Sequence, residues 1–379
     1  MTAKLRINIV LGPFFPIPPV RGLAVEKIQY GLARAYADKG HDVTMISRRF
    51  PGFANRETVD GISHVRVPSF DPPRPGLLYR LLDVIYSLLV SVYMPVADIT
   101  VTNSVSAPLI LPLRKAGKIA VAVGRYPKGQ MRFYGRAARL HAVSRAVLDA
   151  IVEQAPRTAS RALVIANPIG QQFAEAIAEP RGPRDREIVY VGRISGEKGL
   201  DLLLAAFKAI APDFPDWRLR LIGPWSISHG GDGLPYLNEL KAPATGLEGR
   251  IEFAGAIYED AALIARLKKA DIFVYPSLAE HGEAFGLAPL EAMACGCVPV
   301  LSALRCFEDF AEDGRNCSVF DHRRNAEANL AGSMARLMGD AALRERLGLA
   351  AMQSASRFAP QIIAEAMLAD FQTLVRHDD

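Results

Sequence analysis

Twice in this chain an apolar strand runs into a glycine-bearing loop that opens a helix, and a chain built from such units has few ways to fold. In the first, Leu5, Ile7, Ile9 and Leu11 alternate as a strand, and Gly12-Pro13-Phe14-Phe15-Pro16-Ile17-Pro18-Pro19 makes a long turn before Arg21-Gly22. Val25, Ile28, Leu32 and Ala35 then recur at helical spacing, Lys39-Gly40 supplies a basic last turn and a terminating glycine, and Val43 to Ile46 resumes as a strand. In the second, Ile188 to Val191 is the strand and Gly192-Arg193-Ile194-Ser195-Gly196-Glu197-Lys198-Gly199 the loop. Leu200, Leu203, Leu204, Phe207 and Ile210 mark the helix face that follows. Strand, helix and strand in that order point to a parallel sheet, because a parallel neighbour needs a long crossover. Further strands are expected at Leu219 to Ile222, Ile251 to Phe253, Ile272 to Tyr275 and Val298 to Leu301.

Between the two units, Glu179-Pro180-Arg181-Gly182-Pro183-Arg184-Asp185-Arg186 is polar and lacks apolar periodicity, which reads as a linker. With 379 residues the chain has room for two cores. The expected class is therefore α/β, with two doubly wound, Rossmann-like domains over residues 1–178 and 179–358, followed by a C-terminal helix over 359–379 that can pack back toward the first. Ligands of such sheets sit at the carboxyl ends of the strands.

Charge and cysteine content narrow the function classes. Lys and Arg number 45 against 40 Asp and Glu, and a net charge of +5 over this length does not announce nucleic acid as a partner. Locally the balance differs: Arg114 to Arg145 holds Lys115, Lys118, Arg125, Lys128, Arg132, Arg136 and Arg139 and no acidic residue. Interleaved Tyr126, Phe133 and Tyr134 invite an RNA reading, but no RNA-binding motif accompanies them, and an anionic membrane surface or a phosphate-bearing acceptor accounts for the charge more simply. A plain solvated basic face is the alternative. Cys295, Cys297, Cys306 and Cys317 lack paired spacing, so buried thiols in a reducing compartment fit better than a disulfide framework or a metal site. The N-terminus shows no signal-peptide layout, and a cytoplasmic location is expected. Leu77 to Met94 tempts a membrane-spanning reading, but Arg80 and Asp83 interrupt it. Leu78, Leu81, Leu82, Ile85, Leu88, Leu89 and Val92 instead give a helix with a broad apolar face, in the core on the simpler reading, interfacial or facing the acceptor on the other.

The densest chemistry lies in Pro276-Ser277-Leu278-Ala279-Glu280-His281-Gly282-Glu283-Ala284-Phe285-Gly286-Leu287-Ala288-Pro289-Leu290-Glu291-Ala292-Met293-Ala294, which follows a strand and opens a helix. Gly286 permits close backbone approach, Pro289 suits a first helical turn, and the unpaired N–H groups there favour an anion. Glu283 and Glu291 are eight residues apart, about 12 Å along the axis if the chain between them is helical. Two carboxylates flanking an anion site can each grip one end of a nucleotide sugar through its hydroxyls, although two glutamates at this spacing also occur as plain helix-start or solvent-facing residues.

Glu283-Ala284-Phe285-Gly286-Leu287-Ala288-Pro289-Leu290-Glu291-Ala292-Met293-Ala294, with Gly296 and Pro299-Val300, resembles the EX7E signature of retaining GT-B glycosyltransferases of family GT4. Val191-Gly192-Arg193 with Glu197-Lys198-Gly199 resembles that family's pyrophosphate-binding segment, Gly40-His41-Asp42-Val43-Thr44 the turn after its first helix, and Ala142-Val143-Ser144 the end of its N-terminal domain. The resemblance implies a GT-B architecture with the active site in the cleft between the domains. It further implies that Glu283 contacts the donor sugar hydroxyls, that Glu291 holds the ribose, and that main-chain groups of Phe285, Gly286 and Leu287 meet sugar and phosphate. Arg193 and Lys198 would neutralise the pyrophosphate as it leaves, with no metal or other cofactor, and Gly22 would let backbone approach the phosphate from the first domain.

Two departures from the family pattern stand out. Arg21 occupies the first place of a glycine pair, and Gly124-Arg125-Tyr126-Pro127 stands where the family often places a histidine near the sugar. Arg125 and Tyr126 are the acceptor-side candidates in its stead, and His141 reads as structural. The function implied is transfer of a hexose from a UDP- or GDP-sugar to a glycan or lipid-linked acceptor in cell-surface polysaccharide or glycolipid synthesis, with possible peripheral contact with the inner face of an anionic membrane. A nucleotide-sugar-binding subunit without turnover, and an epimerase of the same fold, are the rivals. A dehydrogenase is disfavoured because no G-x-G-x-x-G follows a strand. Pro224-Trp225 and Gly230-Gly231-Asp232-Gly233 are expected to border the nucleotide pocket.

Overall fold

The computed structural model describes residues 3–19, 24–73, 76–180, 182–242 and 246–376. Two compact units form, one from residues 1–170 and 360–379 and the other from 171–359. The division falls at Gly170–Gln171, ahead of the polar 179–186 segment, of which Arg181 lies outside the described residues.

The first unit runs β1 (Arg6–Val10), α1 (Ala24–Asp38), β2 (Asp42–Arg48), β3 (Arg56–Val59), β4 (Ile62–Val67), α2 (Leu77–Tyr93), β5 (Ile99–Thr102), α3 (Ala107–Ile110), α4 (Leu113–Ala116), β6 (Lys118–Val123), β7 (Arg139–Ala142), α5 (Arg145–Gln154) and β8 (Ala162–Val164). Its strands form one sheet in the order β3-β4-β2-β1-β5-β6-β7-β8, parallel except for the β3–β4 hairpin. That hairpin was not among the expected strands, although Asp60-Gly61, with φ of 51° and 73°, is the turn chemistry of a two-residue connection. All four residues of β5 are buried, as strands covered on both faces require.

The second unit comprises α6 (Gln171–Ala176), β9 (Glu187–Val191), α7 (Leu200–Ile210), β10 (Arg218–Ile222), α8 (Gly233–Lys241), β11 (Ile251–Gly255), α9 (Asp260–Leu267), β12 (Ile272–Tyr275), α10 (Leu287–Ala294), β13 (Val298–Ser302), β14 (Ser318–Phe320), α11 (Ala326–Gly339) and α12 (Ala341–Ser356). Its sheet, β11-β10-β9-β12-β13-β14, is wholly parallel, and β9 is flanked by β10 on one side and β12 on the other. The strand order thus reverses direction at β9 and β12, the point where doubly wound sheets open a crevice for ligands.

The terminal helix α13 (Pro360–Arg376) belongs to the first unit. It packs on α1, where Phe371 meets Tyr36 edge-on with ring centres 6.0 Å apart. His141 in β7 is buried and its Nε2 lies 2.8 Å from Oδ2 of Asp370, which also takes Arg139 at 2.8 Å. Burial alone would raise the Asp370 carboxyl, but hydrogen bonds and charge from His141 and Arg139 outweigh it and hold the group below its usual range. His141 is a clamp for α13.

The core reading of α2 is not what the structure forms. Asp83, Tyr86, Ser87 and Val90 are the buried residues, while Leu78, Leu81, Ile85, Leu88 and Val92 face out. Asp83 can turn inward because its carboxylate accepts hydrogen bonds from the Ser104 hydroxyl at 2.9 Å and the Ser106 N–H at 2.8 Å. Among the described residues no helix is long and apolar enough to cross a membrane. The four cysteines are buried and form no disulfide; burial pushes Cys317 up to about 12 and Cys295 and Cys306 higher still, so these three stay protonated.

Candidate active site

The loops that leave β9 and β12 meet at the point where the second sheet reverses. The β9 loop closes with a short 3-10 turn over Gly196–Lys198 and enters α7 through Gly199, whose φ is +68°. A Cβ at Gly199 would stand 2.2 Å from the Pro276 carbonyl oxygen, so glycine lets the two loops touch. Leu278 N–H then donates to the Glu197 carbonyl at 2.9 Å. The β12 loop ends at Gly286, left-handed at φ +96°, where a Cβ would press within 2.6 Å of the Phe307 ring. From there α10 starts at Leu287, and its first N–H groups have no carbonyls of their own helix to serve.

This junction brings Lys198 and Glu283 together. Both are buried, at 4% and 8% exposure, and Lys198 Nζ donates to Glu283 Oε1. The Tyr275 hydroxyl donates to the same oxygen at 3.2 Å, and the Lys198 ammonium stands 5.4 Å from the centre of the Tyr275 ring. Burial, with the Glu283 charge alongside, pushes the Tyr275 phenol well up, so it stays a donor. An ammonium carries three donors, and its contact with one carboxylate oxygen leaves capacity for an anion. Arg193 extends the charged row: its Nη2 lies 2.5 Å from Glu197 Oε1, and Glu197 lies 3.9 Å from Lys198 Nζ. Arg193 is itself exposed and also donates to the Gly230 carbonyl at 3.0 Å.

The loop after β10 folds against the same junction. Ile194 N–H donates to the Pro224 carbonyl at 2.9 Å, and Gly196 N–H donates to the Asp232 carboxylate at 2.7 Å. Trp225 is 39% exposed beside them. Phe285 is buried with its ring against Phe310 and Phe358, so only its main chain is available to a ligand, and Leu287 is half-buried at the first turn of α10. Glu291 stands on the second turn of α10, half-buried. A helical rise does not span Glu283 to Glu291, because residues 283–286 are loop and helix begins only at Leu287.

In the first unit, Arg125 and Tyr126 follow β6 at the carboxyl end of the first sheet, the arginine exposed and the tyrosine half-buried. Gly22 and Arg21 lie outside the described residues. The sequence reading passed over Glu26, in the first turn of α1 and 8% exposed. Burial pushes its carboxyl up, opposed by a hydrogen bond from its own backbone N–H and by the Arg125 charge. The available signal was an acidic residue at a helix start directly after a proline-rich loop. Among the described residues no group of three or more His, Cys, Asp or Glu is gathered as a metal would need.

Residues 172–354 match the family model of glycosyl transferases group 1, and residues 25–172 match that of glycosyltransferase family 4. The chain belongs to this glycosyltransferase family. A phosphatidyl-myo-inositol mannosyltransferase of Mycobacterium leprae is 28% identical over 190 residues, 50% of this chain and 47% of the relative. The lipopolysaccharide core biosynthesis mannosyltransferase LpsB of Rhizobium meliloti is 29% identical over 200 residues, 51% of this chain and 53% of LpsB. The chain therefore spans about half the length of these curated relatives in its match to them. In fold it is similar along nearly its whole length to Anabaena Alr3699/HepE, solved in complex with UDP and glucose, at a TM-score of 0.72 and 18% identity over 97% of this chain and 100% of the other. That likeness confirms the GT-B architecture of the family.

Proposed function

We propose that this glycosyltransferase moves a hexose from a UDP- or GDP-sugar to a hydroxyl of a glycan or lipid-linked acceptor, with retention of configuration and without a metal. Its setting would be cell-surface polysaccharide or glycolipid synthesis, in the cytoplasm and in peripheral contact with an anionic membrane. The observation that carries this reading is the buried Lys198–Glu283 pair at the reversal of the second sheet. A buried cation beside the start of a helix suits a diphosphate, and a buried carboxylate beside it suits sugar hydroxyls. Membership of the family, the names of the two mannosyltransferase relatives and the UDP bound by the Anabaena protein support the same donor class.

In this reading Lys198 and Arg193 balance the pyrophosphate, main-chain groups from Phe285 to Leu287 meet sugar and phosphate, Glu283 holds sugar hydroxyls and Glu291 the ribose. Arg125 and Tyr126 serve the acceptor. The acceptor oxygen bonds to the anomeric carbon on the face from which the phosphate departs. The breaking C–O bond leaves its electron pair on the pyrophosphate, which also takes the acceptor's proton. Negative charge thus grows on the leaving group, where two cations are worth most.

The test is release of nucleoside diphosphate by the purified chain with UDP- and GDP-sugars, with and without acceptor and in excess chelator, together with the anomeric configuration of the product. Acceptor-dependent release with retention, surviving chelation, is expected. Binding without release would favour the non-catalytic subunit, a reading to which Gly124-Arg125-Tyr126-Pro127 in place of a histidine lends weight. A changed sugar on an intact donor would favour the epimerase, and an absolute need for a divalent ion would overturn metal independence.

A further inference from the structure

Helix α2 is amphipathic in the reverse sense. Leu77, Leu78, Leu81, Ile85, Leu88 and Val92 fall within about 100° of arc on one side and are between 36% and 84% exposed. Asp83 and Ser87 face the protein, where Ser87 donates to the Asp83 carbonyl at 2.7 Å and the Asp83 carboxylate is occupied by Ser104 and Ser106. The leucine stripe is about 22 Å long at 1.5 Å per residue. Helix α3 packs beside it, and Val105, Leu109 and Leu113, each 41% to 47% exposed, continue the apolar surface. An apolar area of this size left facing outward calls for a partner.

Charge says which partner. From residue 77 to residue 148 the chain holds ten Lys and Arg, no Glu, and two Asp. Neither aspartate offers free negative charge, since Asp83 is buried and hydrogen-bonded and Asp98 is paired with Arg6 at 2.5 Å. Arg80 is exposed near the start of α2. At its other end Lys115 donates to the Ser91 and Val92 carbonyls at 3.0 and 3.1 Å, which sets the exposed Arg114 there as well. Arg136 donates to the Leu109 and Leu111 carbonyls at the margin of α3. A second copy docked by the same face would bring basic rim against basic rim, as an isologous contact requires, and pay in repulsion. A bilayer with anionic headgroups meets both the apolar stripe and its rim.

We propose that α2 lies flat in the interface of an anionic bilayer, with its leucines among the acyl chains and Arg80, Arg114 and Arg136 against headgroup phosphates. This deepens the membrane contact proposed above by naming the surface that makes it, and it is independent of which sugar is moved. The full chain is sedimented with phosphatidylcholine vesicles with and without phosphatidylglycerol, at low and high salt. It is compared with Leu81→Ser/Leu88→Ser and with Arg80→Glu/Arg114→Glu, all four substituted side chains being exposed and circular dichroism verifying the fold.

The parent should bind the anionic vesicles at least about tenfold better than the neutral ones. The leucine variant should lose about tenfold at every salt concentration, and the arginine variant should lose the part that salt removes. If the parent binds anionic vesicles and the leucine variant binds them equally, α2 is not the inserted surface although the membrane contact stands. If the parent binds no vesicle, both fail. If the parent dimerises in lipid-free buffer and the leucine variant is monomeric, a second copy covers the face and the proposal is overturned. None of these outcomes alters the test of sugar transfer.

Discussion

Replacing Lys198 with Met removes the ammonium while keeping most of the alkyl stem beside the Tyr275 ring, so it isolates charge from packing. Two separate losses are expected. The first is stability: Glu283, 8% exposed, keeps the Tyr275 hydroxyl at 3.2 Å but loses its cation. Removing one partner of a buried pair typically costs about 3–5 kcal/mol, and both Lys198 and Glu283 are buried. The second is turnover. A charge-assisted contact to the leaving pyrophosphate worth about 3 kcal/mol, at about 1.4 kcal/mol per decade, slows the reaction about 100-fold. Adding Glu283→Gln separates the two. The double variant no longer buries an unpaired carboxylate, so its urea midpoint should rise back toward that of the parent, while its turnover stays low for want of the cation. Unfolding midpoints and acceptor-dependent release of nucleoside diphosphate would be measured for the parent, both single variants and the pair. If the double variant regained stability and turnover together, Lys198 would be a structural partner of Glu283 and nothing more, and the pyrophosphate assignment would be wrong.

Arg193→Ala should also slow turnover by roughly 100-fold, but its exposed pair with Glu197 contributes little to folding, and the free energy of unfolding should change by less than about 1 kcal/mol; a large stability loss with normal turnover would reverse that assignment. Glu291→Ala should raise the donor KM at least tenfold with kcat near the parent value, because a ribose contact away from the breaking bond differs little between ground and transition states. His64, buried in β4, is pushed down to about 4 by burial and by the neighbouring Arg66 charge. Its neutral form is the folded one, so the unfolded chain binds the extra proton below about 6.5, and its contribution to stability is whole above that pH and is lost as pH falls toward 4. His64→Leu should flatten the acid limb of the stability profile over that window, and an unchanged limb would show that other groups set it.

Much of this fold could be read from strands flanked by glycine loops, and the reason is physical. Parallel strands buried on both faces are continuous apolar runs, so β9, β12 and β13 stood out at Ile188 to Val191, Ile272 to Tyr275 and Val298 to Leu301, whereas β10, at Leu219 to Ile222, carries Arg220 among its apolar residues. The β3–β4 hairpin was missed because Arg56, Glu57, Ser63 and Arg66 dilute its apolar signal, and its Asp-Gly turn was the clue to use. The site was legible as a set of residues but not as a geometry. Lys198 and Glu283 lie 85 positions apart, and the strand order that makes their loops neighbours is a property of the whole sheet. Glu26 escaped for a related reason: Arg125, whose charge acts on it, comes from a loop almost a hundred residues later.

The case of α2 marks a different limit. Helical periodicity reveals that apolar residues share a side, but not whether that side faces the protein. The usual inference, apolar side inward, rests on the cost of burying the opposite side, and that cost falls when the charged and short polar groups there are few and hydrogen-bonded. Opposite the leucines of α2 stand Asp83, Tyr86, Ser87 and Val90; Asp83 and Ser87 find partners in Ser104, Ser106 and the helix's own backbone, and Tyr86 buries its ring with its hydroxyl unpartnered. Burying that side is therefore cheap, while the leucine side must find its apolar surroundings outside the unit. An aspartate and a serine four apart in an otherwise apolar helix with a leucine stripe opposite are thus the pattern by which such a face can be recognised, and Asp83→Leu is the substitution that tests it. It removes the hydrogen bonds to Ser104 and Ser106 and leaves those donors buried, so it should cost about 2–4 kcal/mol. The same change to leucine on the flank of the helix, at the half-buried Ser91, whose hydroxyl serves only the Ser87 carbonyl of its own helix, should be nearly neutral. Calorimetry of the two variants in lipid-free buffer decides the matter, and a stabilised Asp83→Leu would mean that α2 has turned its leucines inward after all.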